Sequence, residues 1–201
     1  MGSASAMATT KQIVENRVNS TGVVEPVVQT QGTDRIVVEL PGVNDPDPIR
    51  KLLGQTGRLD FIPLPVERYG NGSNPGPNAA AQGQPLPTEE VPLFSGDQVD
   101  QAYASQDSNG ARAVGFELKD EGGKLFGDYT TNNVGNFFAI VLDGYVVSAP
   151  VIQSAITGGS GIITGGTSGF SVTEMNNLIT VLTYGSLPFP LQEIGFQTIG
   201  A

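Results

Sequence analysis

Apolar and polar residues change their period several times along this chain, and each change marks a predicted element. Residues 137–142 are all apolar. In a strand, Phe138, Ile140 and Leu142 point to one side and Phe137, Ala139 and Val141 to the other, so this strand is buried on both faces and central in its sheet. Asp143-Gly144 follows and predicts a type I′ hairpin, whose two central residues both need positive φ. Residues 145–152 return as the partner strand. Pro150 has no N–H for a ladder and marks an edge or a bulge. Residues 161–164, fenced by glycines, form a third short strand. A helical period then takes over: Val172, Met175, Leu178, Ile179 and Leu182 make one stripe. Ser171-Val172-Thr173-Glu174 has capping-box spacing, and Gly185 supplies the stop.

The first third alternates differently. Residues 10–20 predict a helix with Ile13, Val14, Arg17 and Val18 on one face. Residues 23–31 and 35–40 predict two strands joined by a turn at Gly32-Thr33-Asp34. Asp45-Pro46 predicts the start of a short helix carrying Ile49, Leu52 and Leu53. Residues 59–64 form another strand, and Pro63 and Pro65 stiffen its exit. Residues 69–88 are rich in Gly, Asn, Pro, Ala and Gln and predict a mobile linker, because they hold little surface to bury against their ordering entropy. After it, Val99, Ala102 and Tyr103 fit a short helical face, and residues 114–118 a strand. Residues 121–134 predict a helix capped by Asp120, with Leu125, Phe126 and Tyr129 inward. Gly122, Gly123 and Gly127 weaken it by up to about 1 kcal/mol each. Residues 187–190, with Pro188 and Pro190, make an extended crossing, and residues 192–198 a final strand.

Composition narrows the chemistry. The chain has 201 residues, 38% of them hydrophobic, enough for one large domain or two small ones. It has no Cys and no His, which removes disulfides, zinc sites built on those ligands, thiol nucleophiles and His-based triads. The net charge of −10 argues against nucleic acid and against an anionic membrane surface. No apolar run reaches the roughly 20 residues that span a bilayer. Residues 1–7 read as an expression scar. Gly159, Gly161 and Gly165 superficially suggest a phosphate loop, but the spacing is GxGxxxG and no helix starts after the third glycine. Neither SxxK nor GxSxG is present, and Asp45/Asp47 and Asp97/Asp100 are better explained as helix-start acids than as paired catalysts or calcium ligands. No catalytic residue, cofactor or metal site is expected.

Three stretches carry a resemblance. Residues 17–46 (RVNSTGVVEPVVQTQGTDRIVVELPGVNDP), 114–166 (with VGFELKDEGGKLF and AIVLDGYVVSAPVIQSAITGGSG) and 182–191 (LTYGSLPFPL) resemble, in order, the first extracytoplasmic domain of the SecD family, subunits of the bacterial protein-export membrane machinery. The resemblance implies an α+β fold: a ferredoxin-like base from residues 8–66 plus 190–201, a flexible loop at 67–88 and an inserted α+β head at 89–187. It implies a non-enzymatic role on the extracytoplasmic (periplasmic) side of the cell membrane. SecF, the SecYEG channel and the unfolded exported polypeptide would be its partners, and export would be driven by the proton-motive force. The other role it allows is a structural spacer that docks SecF or SecYEG without touching substrate. The family's glycine-rich strand before the first helix has no counterpart here, and neither has its TVGPSLG after the tail.

Chain capture without sequence readout calls for exposed aromatic surface and unpaired strand edge. Phe94, Tyr103, Tyr145 and Phe170 are the candidate contacts, because they fall at loops or strand ends and outside the apolar stripes. Pro63, Pro65, Pro188 and Pro190 are the candidate hinge. A ferredoxin-like sheet with its first strand missing would leave a slot, and the 192–199 tail is the expected filler.

Overall fold

The computed structural model describes residues 4–76, 80–86 and 89–197. Its contacts divide the chain into two compact units, Met1–Thr56 with Ser186–Ala201, and Gly57–Gly185. Both combine helices with small sheets, so the class is α+β as expected. No helix among the described residues is long and apolar enough to cross a membrane.

The first unit runs α1 (Ala4–Ser20), β1 (Val27–Gln31), β2 (Arg35–Glu39) and α2 (Asp47–Gly54). β1 and β2 form an antiparallel hairpin with Val28 opposite Val38. Ile13, Val14, Val18, Val28, Ile49 and Leu187 make its core, with Ile36, Val38, Leu53 and Leu191 packed around them. α2 begins one residue later than the Asp45-Pro46 reading: Pro46 is its N-cap with no side-chain cap bond, the Asp45 carboxylate accepts the Asp47 N–H at 3.1 Å in the turn before it, and Pro48 falls in the first turn, where no helical N–H bond is needed. Arg17 shares the apolar face of α1 and is fully buried. Its guanidinium donates to the carbonyls of Leu52 (3.1 Å), Gln55 (2.5 Å) and Thr56 (3.1 Å), satisfying the free C-terminal end of α2. A cation there also opposes the negative end of the helix dipole.

Two expectations for this unit are corrected. The strand predicted over 59–64 belongs to the other unit, because it is apolar on both sides and this hairpin offers no two-faced partner. The tail is not a strand over its described residues 192–197, and residues 198–199 lie outside the described ones. Side chains hold it instead of a ladder. Arg50 forks onto Glu193 with Nε and Nη2 at 3.0 and 2.9 Å, and its guanidinium lies 4.9 Å from the centre of the Phe196 ring. Of the ferredoxin-like base, the described residues therefore hold two helices and one two-stranded sheet.

The second unit contains β3 (Leu59–Pro63), α3 (Val66–Tyr69), β4 (Gly70–Asn71), β5 (Asn74–Pro75), β6 (Phe94–Ser95), β7 (Val99–Gln106), β8 (Arg112–Leu118), α4 (Asp120–Asn132), β9 (Phe138–Leu142), β10 (Tyr145–Ser148), β11 (Ser160–Thr164) and α5 (Val172–Tyr184). One sheet has the order β10-β9-β3-β6 and another β11-β8-β7. β9 is central and buried on both sides. Phe138 and Ile140 join Leu59, Phe61, Phe116 and Phe126 in the larger core, and Ala139 and Val141 join Ile62, Leu64 and Tyr69 in the smaller. The Asp143-Gly144 turn has φ of 49° and 87°, as a type I′ hairpin requires. β10 is the edge strand that Pro150 announced, with a bulge between Val146 and Ser148.

The expected linker is corrected for its described residues. Asn71 Oδ1 accepts the N–H groups of Ser73 and Asn74 to turn β4 into β5. The backbone of Asn74 comes so close to Gly70 that no Cβ fits. Gly83 donates to Val146 O and Val146 donates to Gln84 O, both at 2.8 Å, while Ala80 and Leu86 cover the smaller core. Small residues lie flat on a sheet, so a segment poor in large side chains still closes a core here.

The prolines named as the hinge lie to either side of the division between the units. Pro63 is inside β3 opposite Phe138, and Pro65 precedes α3, both within the second unit. Pro188 and Pro190 fall inside the first unit, so the division runs at Thr56/Gly57 and Gly185/Ser186. Three smaller readings also change. Residues 99–106 are a strand and not a helix. Leu125 and Val172 are exposed, because α4 and α5 turn Phe126 and Leu178 inward. Residue Asp120 opens α4 without capping it.

Candidate functional site

The sheet β11-β8-β7 has one face in the core; the other is closed at Ala113 and Thr164, where Ser148 of β10 meets the Thr164 hydroxyl at 3.3 Å, and open at Tyr103 and Ile162. Val99, Val114, Phe116 and Ile163 point inward, where α5 covers them with Leu178 and Leu182. α5 is set by the capping box foreseen in the sequence: Ser171 Oγ accepts the Glu174 N–H at 3.2 Å and Glu174 Oε2 accepts the Ser171 N–H at 2.9 Å. The Ser171 hydroxyl first, and then the Ser171 backbone N–H, hold the Glu174 carboxyl below the usual glutamate range. α4 closes another side through glycine. A Cβ on Gly123 would reach the Cα of Gly159 at 3.3 Å, and one on Gly127 the Cα of Thr157 at 3.4 Å. Thr130, fully buried, completes the seam: its Oγ accepts the Ile156 N–H at 2.9 Å and donates to Phe126 O at 2.8 Å. Gly123 and Gly127, a weakness by helix propensity, are thus the surface on which residues 156–159 lie, while Gly122 faces Gln98.

On the outer face, Tyr103, Gly115 and Ile162 are in register across β7, β8 and β11. Tyr103 lies over Gly115, where a Cβ would fall 2.7 Å from its ring Cζ. The bare glycine lets the ring lie down toward Ile162, a cross-strand arrangement that fills the gap a glycine leaves in a sheet. Tyr103 remains 43% and Ile162 48% exposed, so the row is an apolar strip open to solvent. The same device recurs inward, where the Phe116 ring covers Gly161.

The four aromatic candidates separate. Tyr103 is on this strip. Tyr145, 57% exposed, begins β10 in the other sheet. Phe94 and Phe170 are corrected: both are buried, Phe94 stacked on Phe61 with ring centres 4.6 Å apart and Phe170 inside the same core. Both were placed at loop ends, which they are, but a loop end that turns back over a sheet buries its aromatic ring. Ile162 was missed. Its signal was the pair Ile162-Ile163, in which a strand must send one isoleucine to each face. Gly159, Gly161 and Gly165 serve close packing against Gly123, Phe116 and Phe170. Among the described residues no group of three or more His, Cys, Asp or Glu side chains is placed to hold a metal ion.

A family model described as the SecDF P1 head subdomain matches residues 74–189, and one described as the N-terminal part of the P1 domain of the protein translocase subunit SecDF matches residues 7–65. Protein translocase subunit SecD of Rhodobacter capsulatus is 41% identical over 195 residues, covering 94% of this chain and 35% of that protein. The SecD of Rickettsia bellii is 40% identical over 196 residues, covering 94% and 38%. The chain thus spans little more than a third of the length of these relatives. A solved structure of SecDF, described as a membrane component that enhances protein export, superposes with a TM-score of 0.79 at 33% identity over 99% of this chain and 96% of its own. A crystal structure of SecDF in a super-membrane-facing form gives a TM-score of 0.77 at 33% identity, covering 95% of this chain and 28% of that one.

Proposed function

The chain belongs to the SecD/SecDF family of protein translocase subunits, as its P1 domain, and on that premise we propose that its larger unit holds unfolded polypeptide during export. The observation that carries this reading is the exposed Tyr103–Ile162 strip over Gly115. An apolar strip of one aromatic ring and one branched side chain suits transient contact with many sequences, because burial of apolar surface needs no particular partner. Tyr145 offers a second exposed ring for the same purpose. In this reading the domain is non-catalytic and works on the periplasmic side of the membrane, beside SecF and the SecYEG channel. The proton-motive force acts through parts of the parent protein outside this chain.

The test is a titration of the chain into fluorescently labelled, reduced and carboxymethylated α-lactalbumin, with native α-lactalbumin as the folded control. Saturable binding of the unfolded form alone is expected. Equal binding to both forms, or to neither, overturns the reading and favours a spacer that docks SecF or the channel.

A further inference from the structure

The strip borders an edge with which, among the described residues, no further strand pairs. β7 is the outermost strand of its sheet. The Asp107 N–H donates to Ala111 O at 2.9 Å, and the Phe170 N–H donates to Arg112 O at 3.0 Å from the other side of β8. These two bonds set the alternation of the ladder: β7 residues 101, 103 and 105 bond to β8, and Ala102, Ala104 and Gln106 turn their N–H and C=O groups outward. Among the described residues no neighbouring segment bonds those outward groups. A bulge between Val99 and Gln101 ends the edge on one side and the 107–110 turn ends it on the other, leaving a flat acceptor about six residues long.

Sheet edges of this kind are normally blunted by lysine, proline or a covering loop. Residues 101–106 read Gln-Ala-Tyr-Ala-Ser-Gln, with no charge and no proline. On β7 and its lead-in the charges are the exposed carboxylates of Asp97 and Asp100, and Lys119 Nζ donates to the Asp97 carbonyl at 2.6 Å. Ala102 and Ala104 leave the inner side of the edge shallow, and Tyr103 flanks its outer side.

We propose that β7 accepts an extended segment of a second, unfolded polypeptide as a fourth strand, with apolar side chains beside Tyr103 and cationic ones beside Asp97 and Asp100. This rests on the polypeptide-holding reading above and specifies its mode. Main-chain groups supply most of the recognition, which makes it tolerant of sequence, and the alternate side chains and the acidic end set the preference. A chain with a net charge of −10 selects cationic segments in the same sense. Strand addition also demands that the segment be extended, so a folded domain is excluded by geometry.

The experiment uses the full chain and a labelled peptide of about eight alternating Val and Lys residues, the length that a six-residue edge can hold with its ends free. Two changes remove the outward bonds. Ala104→Pro deletes a donor that β8 does not use, a substitution edge strands tolerate. N-methylation of alternate peptide residues deletes the peptide's donors and leaves the protein untouched. Each is expected to weaken binding at least about tenfold, in line with loss of one or more hydrogen bonds. The thermal midpoint of the Ala104→Pro protein is expected to stay close to that of the parent. Undiminished binding of the N-methylated peptide overturns strand addition while leaving polypeptide holding intact. Failure of the parent chain to bind either this peptide or carboxymethylated α-lactalbumin overturns both. A concentration-dependent dimer that Ala104→Pro abolishes, with no peptide bound, assigns the edge to a second copy of this chain and overturns the proposal.

Discussion

The carbonyl oxygen of Thr56 accepts the backbone N–H of Leu187 at 2.7 Å, joining the last residue before the chain leaves its first unit to the return segment more than a hundred residues later. The same oxygen accepts Arg17 Nη2 at 3.1 Å. One buried guanidinium thus ties α1, the end of α2 and, through Thr56, the returning chain. Arg17→Met keeps most of the volume but leaves the carbonyls of Leu52, Gln55 and Thr56 without their shared donor. A loss of roughly 3 kcal/mol is expected in denaturant unfolding, with faster amide exchange at the end of α2. A loss under about 0.5 kcal/mol contradicts this role.

Two α4 glycines, Gly122 and Gly127, are expected to respond in opposite directions. A Cβ on Gly127 meets the 156–157 backbone at 3.4 to 3.5 Å, ordinary contact, so Gly127→Ala gains helix propensity and stabilises by about 0.5–1 kcal/mol. A Cβ on Gly122 would fall 2.7 Å from the Cβ of Gln98, which is not a flexible tip, so Gly122→Ala is expected to destabilise by about 1 kcal/mol or more. Thermal unfolding of the two single variants decides the matter.

Thr130→Val is isosteric but removes the hydroxyl bonds to Phe126 O and Gly127 O and leaves the Ile156 N–H without its acceptor. About 1–3 kcal/mol of stability is expected to go, with the exchange of the Ile156 amide accelerated more than that of β9.

The capping box carries a pH signature. Glu174 has a lowered folded pKa, first through the Ser171 hydroxyl and then through the Ser171 backbone N–H. Its charge therefore contributes stability above the ordinary glutamate value of about 4.3, and that contribution is lost as pH falls through the folded value. Glu174→Gln keeps a hydrogen-bonding cap without the charge. The midpoint difference between parent and variant is expected to be constant near neutral pH and to shrink below about pH 4. Ser171→Ala is expected to cost about 1 kcal/mol near neutral pH and less below about pH 4, because it also removes the hydroxyl that lowers the Glu174 pKa.

Legibility in the sequence followed the reach of the interactions. The Asp143-Gly144 hairpin, the two-faced β9 and the Ser171–Glu174 cap depend on neighbours in the chain, and all three stand as read. Residues 99–106 misled because Val99, Ala102 and Tyr103 fall at helical spacing, whereas in the strand Val99 and Ala102 face inward and Tyr103 faces outward over Gly115 on β8, which has no side chain to advertise it. β3 was recognised as a strand but given to the wrong unit, since its membership is decided by β9, nearly 80 residues away. Of the four aromatic residues singled out in the sequence, Tyr103 and Tyr145 are exposed as expected. Phe94 and Phe170 are not, because burial at a loop end depends on what the loop folds back upon.

The most direct measurement of the central claim is the affinity for carboxymethylated α-lactalbumin of the parent chain, of Tyr103→Ser and of Ile162→Ser, each with its thermal midpoint. The account predicts that each substitution weakens binding severalfold with a midpoint change of only a few degrees, since both side chains are nearly half exposed. Parent-like affinity in both variants, with the midpoints lowered, would make the strip a structural cover for Gly115 and contradict its role in holding polypeptide.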